Sequence, residues 1–149
     1  MRVVVQKVKR AQVTVDNEVV GKIDRGFMLL VGFTEGDGSR EIDYLVHKIS
    51  KVRIFEDEAG KMNLDLGQVN GQILSVSQFT LYADMKKGNR PSFTQAQAPA
   101  QAEANYQEFN RKLADQGFTV ATGVFGAEMD VELVNDGPTT IIYDTATLM

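Results

Sequence analysis

No cysteine occurs among the 149 residues, and histidine occurs once, as His47. Without thiols there is no disulfide, no thiolate metal site and no cysteine nucleophile. One imidazole cannot build a histidine zinc site, and no metal or cofactor is expected. His47 falls inside a helical pattern and reads as a helix-surface or partly buried residue. A Ser-His-Asp triad is therefore not expected. Long apolar runs are missing too: none approaches the ~20 residues of a membrane-crossing helix. The opening Met1–Lys7 is too short and too soon charged for a signal peptide. The expectation is a cytoplasmic chain with no membrane partner. There is no excess of positive charge either. A net charge of -4 argues against non-specific coating of nucleic acid, which rests on many Lys/Arg–phosphate contacts. A few local cations could still grip one RNA end, and Lys86, Lys87 and Arg90 form such a cluster.

What is present reads as one domain spanning residues 1–149. A chain of this size buries roughly 70% of its unfolded surface. Residues 1–9 and 11–15 alternate as a strand, Asp16-Asn17 supplies turn chemistry, and residues 19–23 return as a hairpin. The nearly unbroken apolar run 27–33 suits a strand buried on both faces. Ser39 reads as an N-cap for a helix carrying Ile42, Leu45, Val46 and Ile49. Residues 52–55 are short and β-like, and 57–60 form a turn. Residues 72–82 make the strongest strand. Pro99 fits the first turn of a second helix with Ala102, Tyr106, Phe109 and Leu113 as its stripe, and Gly117 as its C-terminal cap. Strands follow at 118–121, 130–134 and 139–143, with a turn expected at residues 135–140. The pattern predicts an α+β fold, a mainly antiparallel β-sheet with two helices.

The chemistry left to such a chain is narrow. Glu128, Asp130, Glu132, Asp84 and Asp136 match no calcium or magnesium loop, and a solvated strand face accounts for them. No P-loop or dinucleotide fingerprint is found. What remains is hydroxyl, amide and backbone chemistry. Ser77-Gln78-Phe79-Thr80 ends the strong strand, where alternation would put Gln78 and Thr80 on one face and Ser77 and Phe79 on the other. Peptide N–H groups at a strand end can stabilise the negative oxygen of an ester under attack. Thr80 could be a nucleophile only with a base to take its proton, and none is evident. Read by chemistry alone, these residues and Asn135-Asp136-Gly137-Pro138 look like a strand end and a turn.

Together the two segments resemble the D-aminoacyl-tRNA deacylase family. The resemblance runs along the chain in order. It includes Met1–Val8, Arg53–Leu64, Ser77–Asp84, Gly88–Phe93, Thr122–Gly126 and Leu133–Pro138. It implies a homodimer whose sheets meet in a barrel-like assembly, with active sites at the subunit interface. It implies hydrolysis of the ester joining a D-amino acid to the terminal ribose of tRNA, which is chiral proofreading. Glycyl-tRNA, mischarged on tRNA(Ala), would be a second substrate, since glycine has no side chain to exclude. In this family Gly137-Pro138 would be a cis peptide entering the other subunit's pocket, with Asn135 beside it. Backbone N–H groups of Phe79 and Thr80 would cradle the oxyanion while Gln78 orients the substrate, and the substrate's ribose hydroxyl would assist the attacking water. Phe125 and Met129 would lie near the terminal adenine, and Lys86, Lys87 and Arg90 near acceptor-end phosphates. The acidic run Glu128, Asp130, Glu132 departs from the family's pattern. A non-catalytic dimeric module that binds the tRNA acceptor end is the alternative.

Overall fold

The computed structural model covers residues 1–149. A long strand, β1 (Arg2–Val15), is its spine. Along one edge β1 pairs antiparallel with β2 (Glu18–Ile23) and β3 (Gly26–Gly32), and along the other with β8 (Asp130–Asp144). The turn between β1 and β2 is made by Asp16 and Asn17 at φ 49° and 66°, the left-handed pair a tight hairpin requires.

Beyond β3 the pairing changes sense. β6 (Gln72–Ser77) lies parallel to β3, and β7 (Val120–Thr122) parallel to β6. The chain crosses from β3 to β6 through α1 (Ser39–Lys51) and from β6 to β7 through α2 (Pro99–Asp115). Parallel neighbours need such crossovers. The sheet is therefore mixed, which corrects the expectation of a mainly antiparallel one. It also curls until its far strands nearly meet. A Cβ on Gly21 of β2 would stand 2.7 Å from the Thr122 carbonyl oxygen of β7, so only glycine allows this approach. A separate pair, β4 (Phe55–Glu56) and β5 (Met62–Leu64), flanks the main sheet.

There are three helices rather than two. The third, α3 (Thr145–Leu148), is a single turn opened by Asp144, whose carboxylate accepts from the Ala146 N–H at 3.0 Å. In α1 the cap is Gly38, one residue before Ser39, and the Glu41 carboxylate reaches back to the Gly38 N–H at 2.9 Å. Pro99 opens α2, and Gly117 follows its end at φ 99°.

Two apolar clusters lie on the two faces of the sheet. Under the helices, Phe27, Leu29 and Val31 pack with Ile42, Leu45 and Ile49 of α1 and Phe109 and Leu113 of α2. Within the curl, Val8, Val13, Ile23, Met28, Leu74 and Val76 pack together. β3 and β6 feed both clusters, and burial on both faces is why β3 is almost wholly apolar. No helix is long and apolar enough to cross a membrane.

Candidate active site

Strand β6 stops at Ser77, and the chain turns at once into a 3-10 turn, Phe79–Tyr82. The Leu81 N–H closes it on the Gln78 carbonyl at 3.3 Å. The strand expected over residues 72–82 is therefore cut short, and its alternation of faces ends with it. Three residues per turn bring Ser77, Gln78, Phe79 and Thr80 to the wall of one cavity of about 720 Å3. That volume lies within the range of small-molecule sites. Gly32 makes the bend possible, since a Cβ there would lie 2.9 Å from the Gln78 carbonyl oxygen.

The other walls come from distant parts of the chain. Residues 95–97 lie along the end of β3: Thr34 Oγ1 donates to the Gln95 carbonyl at 2.5 Å and the Gln97 N–H to the Phe33 carbonyl at 3.0 Å. The Asn105 side chain of α2 fastens that segment, donating to Gln97 Oε1 at 2.9 Å and to the Asp37 carbonyl at 3.0 Å. The loop before β8 contributes Phe125, Glu128 and Met129. Gly123 leaves room for Met129, whose Sδ would be 2.6 Å from a Cβ at that glycine.

Proton-accepting groups are scarce here. The Gln78 amide Nε2 donates to Thr80 Oγ1. An amide is no base near neutral pH, so this contact orients the hydroxyl without activating it. Tyr106 lies behind the Phe125 wall, the two ring centroids 6.1 Å apart, and donates to the Ser75 carbonyl at 2.7 Å. Burial pushes its phenol above the usual value against the opposing pull of its hydrogen bonds, so it stays protonated. Glu128, an exposed rim residue, is the one ionisable side chain in the lining.

Asn135, Gly137 and Pro138 lie elsewhere, and none of them borders this cavity. The turn expected at residues 135–140 does not form. β8 runs straight through, paired with β1 on both sides of register shifts opposite Gln6, Val8 and Arg10. Gly137-Pro138 is a cis peptide with Gly137 at φ +126°. Proline can give the ladder no N–H. Side chains replace the missing bonds. Asn135 Oδ1 accepts from the Thr139 N–H at 2.9 Å, Asn135 Nδ2 donates to Gln6 Oε1, and Thr140 Oγ1 donates to the same oxygen at 2.7 Å. Gly137 and Pro138 are both exposed. They sit on a strand whose second edge has no partner within the chain.

Lys86, Lys87 and Arg90 project from an exposed loop closed by Asp84 and Ser92, whose N–H and carbonyl groups pair at 2.7 and 2.9 Å. They too lie off the cavity lining. His47 is exposed on α1. Of the residues expected from the sequence, the fold brings Ser77–Thr80, Phe125 and Met129 to one cavity and leaves Asn135, Gly137, Pro138, Lys86, Lys87 and Arg90 away from it. Gly32, Phe93, Gln97 and Glu128 belong to the same wall without having been expected there. Phe93 had a signal, its place in the stretch Gly88–Phe93, whereas Gln97 had none, because only the fold of the 95–97 segment brings it there.

Known proteins resemble this chain in sequence and in fold. The profile of the D-Tyr-tRNA(Tyr) deacylase family matches residues 4–144. A protein of Limosilactobacillus reuteri named D-aminoacyl-tRNA deacylase is 62% identical over 144 residues, 97% of this chain and 99% of that one. One of the same name from Bifidobacterium animalis subsp. lactis is 54% identical over 99% of both. A solved structure titled c-Myc DNA Unwinding Element Binding Protein superposes with a TM-score of 0.91 at 40% identity, covering 97% of this chain and 99% of that one. A probable eukaryotic D-amino acid tRNA deacylase shares the fold at a TM-score of 0.81 and 20% identity, with 95% and 97% covered. On the match of sequence along nearly all its length, this chain belongs to the D-Tyr-tRNA(Tyr) deacylase family.

Proposed function

We propose that this chain hydrolyses the ester of D-aminoacyl-tRNA, releasing the D-amino acid and free tRNA, as one cytoplasmic domain that works as a homodimer. The observation that carries the reading is the bend after β6, which brings Ser77–Thr80 into a cavity that also holds Phe125 and Met129. The first N–H groups of a 3-10 turn have no partner inside it, which suits those of Phe79 and Thr80 to a developing oxyanion. Gln78 orients the substrate. The attacking water is helped by the substrate's ribose hydroxyl, so the site needs no base of its own. Phe125 and Met129 flank the terminal adenine, while Lys86, Lys87 and Arg90 meet acceptor-end phosphates.

Gly137 and Pro138 are the chiral gate, and they act on the cavity of a second copy. Support comes from their position. They are exposed, off their own chain's cavity, on the unpaired edge of β8, where Ile142 is 70% exposed. A gate built of backbone rejects L side chains by lack of room. Glycine passes, which makes glycyl-tRNA a second substrate. A non-catalytic dimeric module that binds the tRNA acceptor end is the weaker reading, since no observation favours it and it would turn over nothing.

Purified protein should release D-tyrosine from D-Tyr-tRNA and spare L-Tyr-tRNA under multiple turnover. Equal hydrolysis of both, or of neither, sinks the reading. Mixing a Gln78→Ala chain with a Pro138→Ala chain tests the exchange between copies. If each site draws on both chains, a mixed dimer holds one intact site and recovers about half the wild-type rate and selectivity. No recovery places gate and cavity in the same chain.

A further inference from the structure

Phe79 and Phe93 are 56% and 37% exposed. Their rings pack edge to face, centroids 5.0 Å apart at 71°. Both border the cavity, and the segment between them carries the loop with Lys86, Lys87 and Arg90. An apolar pair left in water at a cavity mouth marks a place where something else docks. An edge-to-face pair also leaves ring faces uncovered for a flat partner.

We infer that Phe79 and Phe93 form a stacking platform for the unpaired base that precedes the terminal adenosine of the RNA. The inference rests on the deacylase reading of the same cavity. Single-stranded RNA is held by two kinds of group, aromatic faces for bases and cations for phosphates. Here both come from one short stretch. The Asp84–Ser92 closure holds the loop at its base, at 2.7 and 2.9 Å. Phe93 follows that closure directly, and the three exposed cations form no ion pair with any carboxylate. Phe93 thus joins the cavity wall to the base of the loop that carries those cations. A base stacks there whatever its identity, since every base has a π-face. The neighbouring charge favours a phosphate-bearing strand over the substrate's amino-acid side chain or a second protein copy.

Phe93→Leu keeps apolar bulk and removes the ring, and Phe93→Trp keeps a ring. Both are compared with wild type on D-Tyr-tRNA and on D-Tyr esterified to adenosine alone. Phe93→Leu should raise KM for the tRNA about tenfold, or about 1.4 kcal/mol, at unchanged kcat. KM for the adenosine ester should rise far less than KM for the tRNA, and Phe93→Trp should behave like wild type. With 2-aminopurine as the penultimate nucleotide, wild type should quench its fluorescence and Phe93→Leu should not. An equal loss on both substrates places the Phe93 ring against the adenosine or the amino acid and overturns the inference. So does no loss on either, or a change of oligomeric state on gel filtration. Wild type inactive on D-Tyr-tRNA removes the deacylase reading and the platform together. Wild type active with Phe93→Leu unaffected removes the platform alone.

Discussion

The two segments proposed to carry the site are built in opposite ways. Ser77–Thr80 sits at the end of a central strand, flanked by β3 and α2, in a cavity of its own chain. Asn135–Pro138 interrupts an edge strand, and its exposed Gly137 and Pro138 do not border that cavity. The first segment is defined by backbone that stops pairing, because the ladder gives way to a 3-10 turn. The second is defined by backbone that cannot pair and is braced by Asn135, Gln6 and Thr140 side chains. If, as proposed, the inner segment hydrolyses and the outward one selects, rate and chirality can be damaged separately. Each experiment below tries to break that separation.

The largest effect is expected on the hydrolytic half. Replacing the peptide N–H of Thr80 by an ester oxygen, through semisynthesis, removes one oxyanion donor and leaves every side chain in place. Loss of such a donor costs about 10²–10³ in kcat. The D/L ratio should stay as it was. A kcat within a few-fold of wild type would mean the oxyanion is held elsewhere. Next comes the selective half. A Cβ on Gly137 would lie 2.5 Å from Thr139 Oγ1, and the residue's φ of +126° disfavours any side chain. Gly137→Ala must shift the segment, and a displacement of about 1 Å can cost roughly 10²-fold. The loss should appear as a collapse of D/L selectivity in kcat/KM. Unchanged rejection of L-Tyr-tRNA would remove the gate from this motif.

A smaller effect belongs to the exposed loop. Changing Lys86, Lys87 and Arg90 to Ala should weaken tRNA binding about tenfold at physiological salt and flatten the salt dependence by roughly 2 in log–log slope. D-Tyr-adenosine hydrolysis should be untouched. A steep salt slope in the triple variant would put the phosphate contacts on another surface.

How much of this was legible in the sequence follows the same division between local and distant. Local chemistry read well. Asp16-Asn17 forced the hairpin, Pro99 opened α2, and Gly117 took φ 99° after its end. Distant pairing read poorly. The run at residues 27–33 showed a strand buried on both faces, yet helices on either side of β6 make its neighbours parallel. The N-terminal hairpin had suggested the antiparallel reading. Gly137-Pro138 looked like a turn because glycine and proline break ladders. Here β1 continues past the interruption and β8 resumes beyond it, with register shifts absorbing the break. Likewise Gln78, Phe79 and Thr80 share a wall because the strand ends one residue before them.

The smallest effect is the most informative. Thr80 is exposed on the cavity wall, and its hydroxyl accepts from the Gln78 amide. A nucleophilic threonine needs a partner that removes its proton. His47 is exposed on α1 and does not border the cavity, and the phenol of Tyr106 is pushed the wrong way for a base. Thr80→Ala should therefore keep kcat within about tenfold, the size of a lost orienting contact, whereas removing the nucleophile of a covalent hydrolase costs about 10⁶. The variant keeps the peptide N–H at that position, so it separates the side chain from the backbone that the ester substitution attacks. A large kcat loss in Thr80→Ala, with D-Tyr-tRNA still bound, would make the side chain the reacting group. The hydrolytic half would then depend on a hydroxyl, and its contrast with the backbone-built gate would fall.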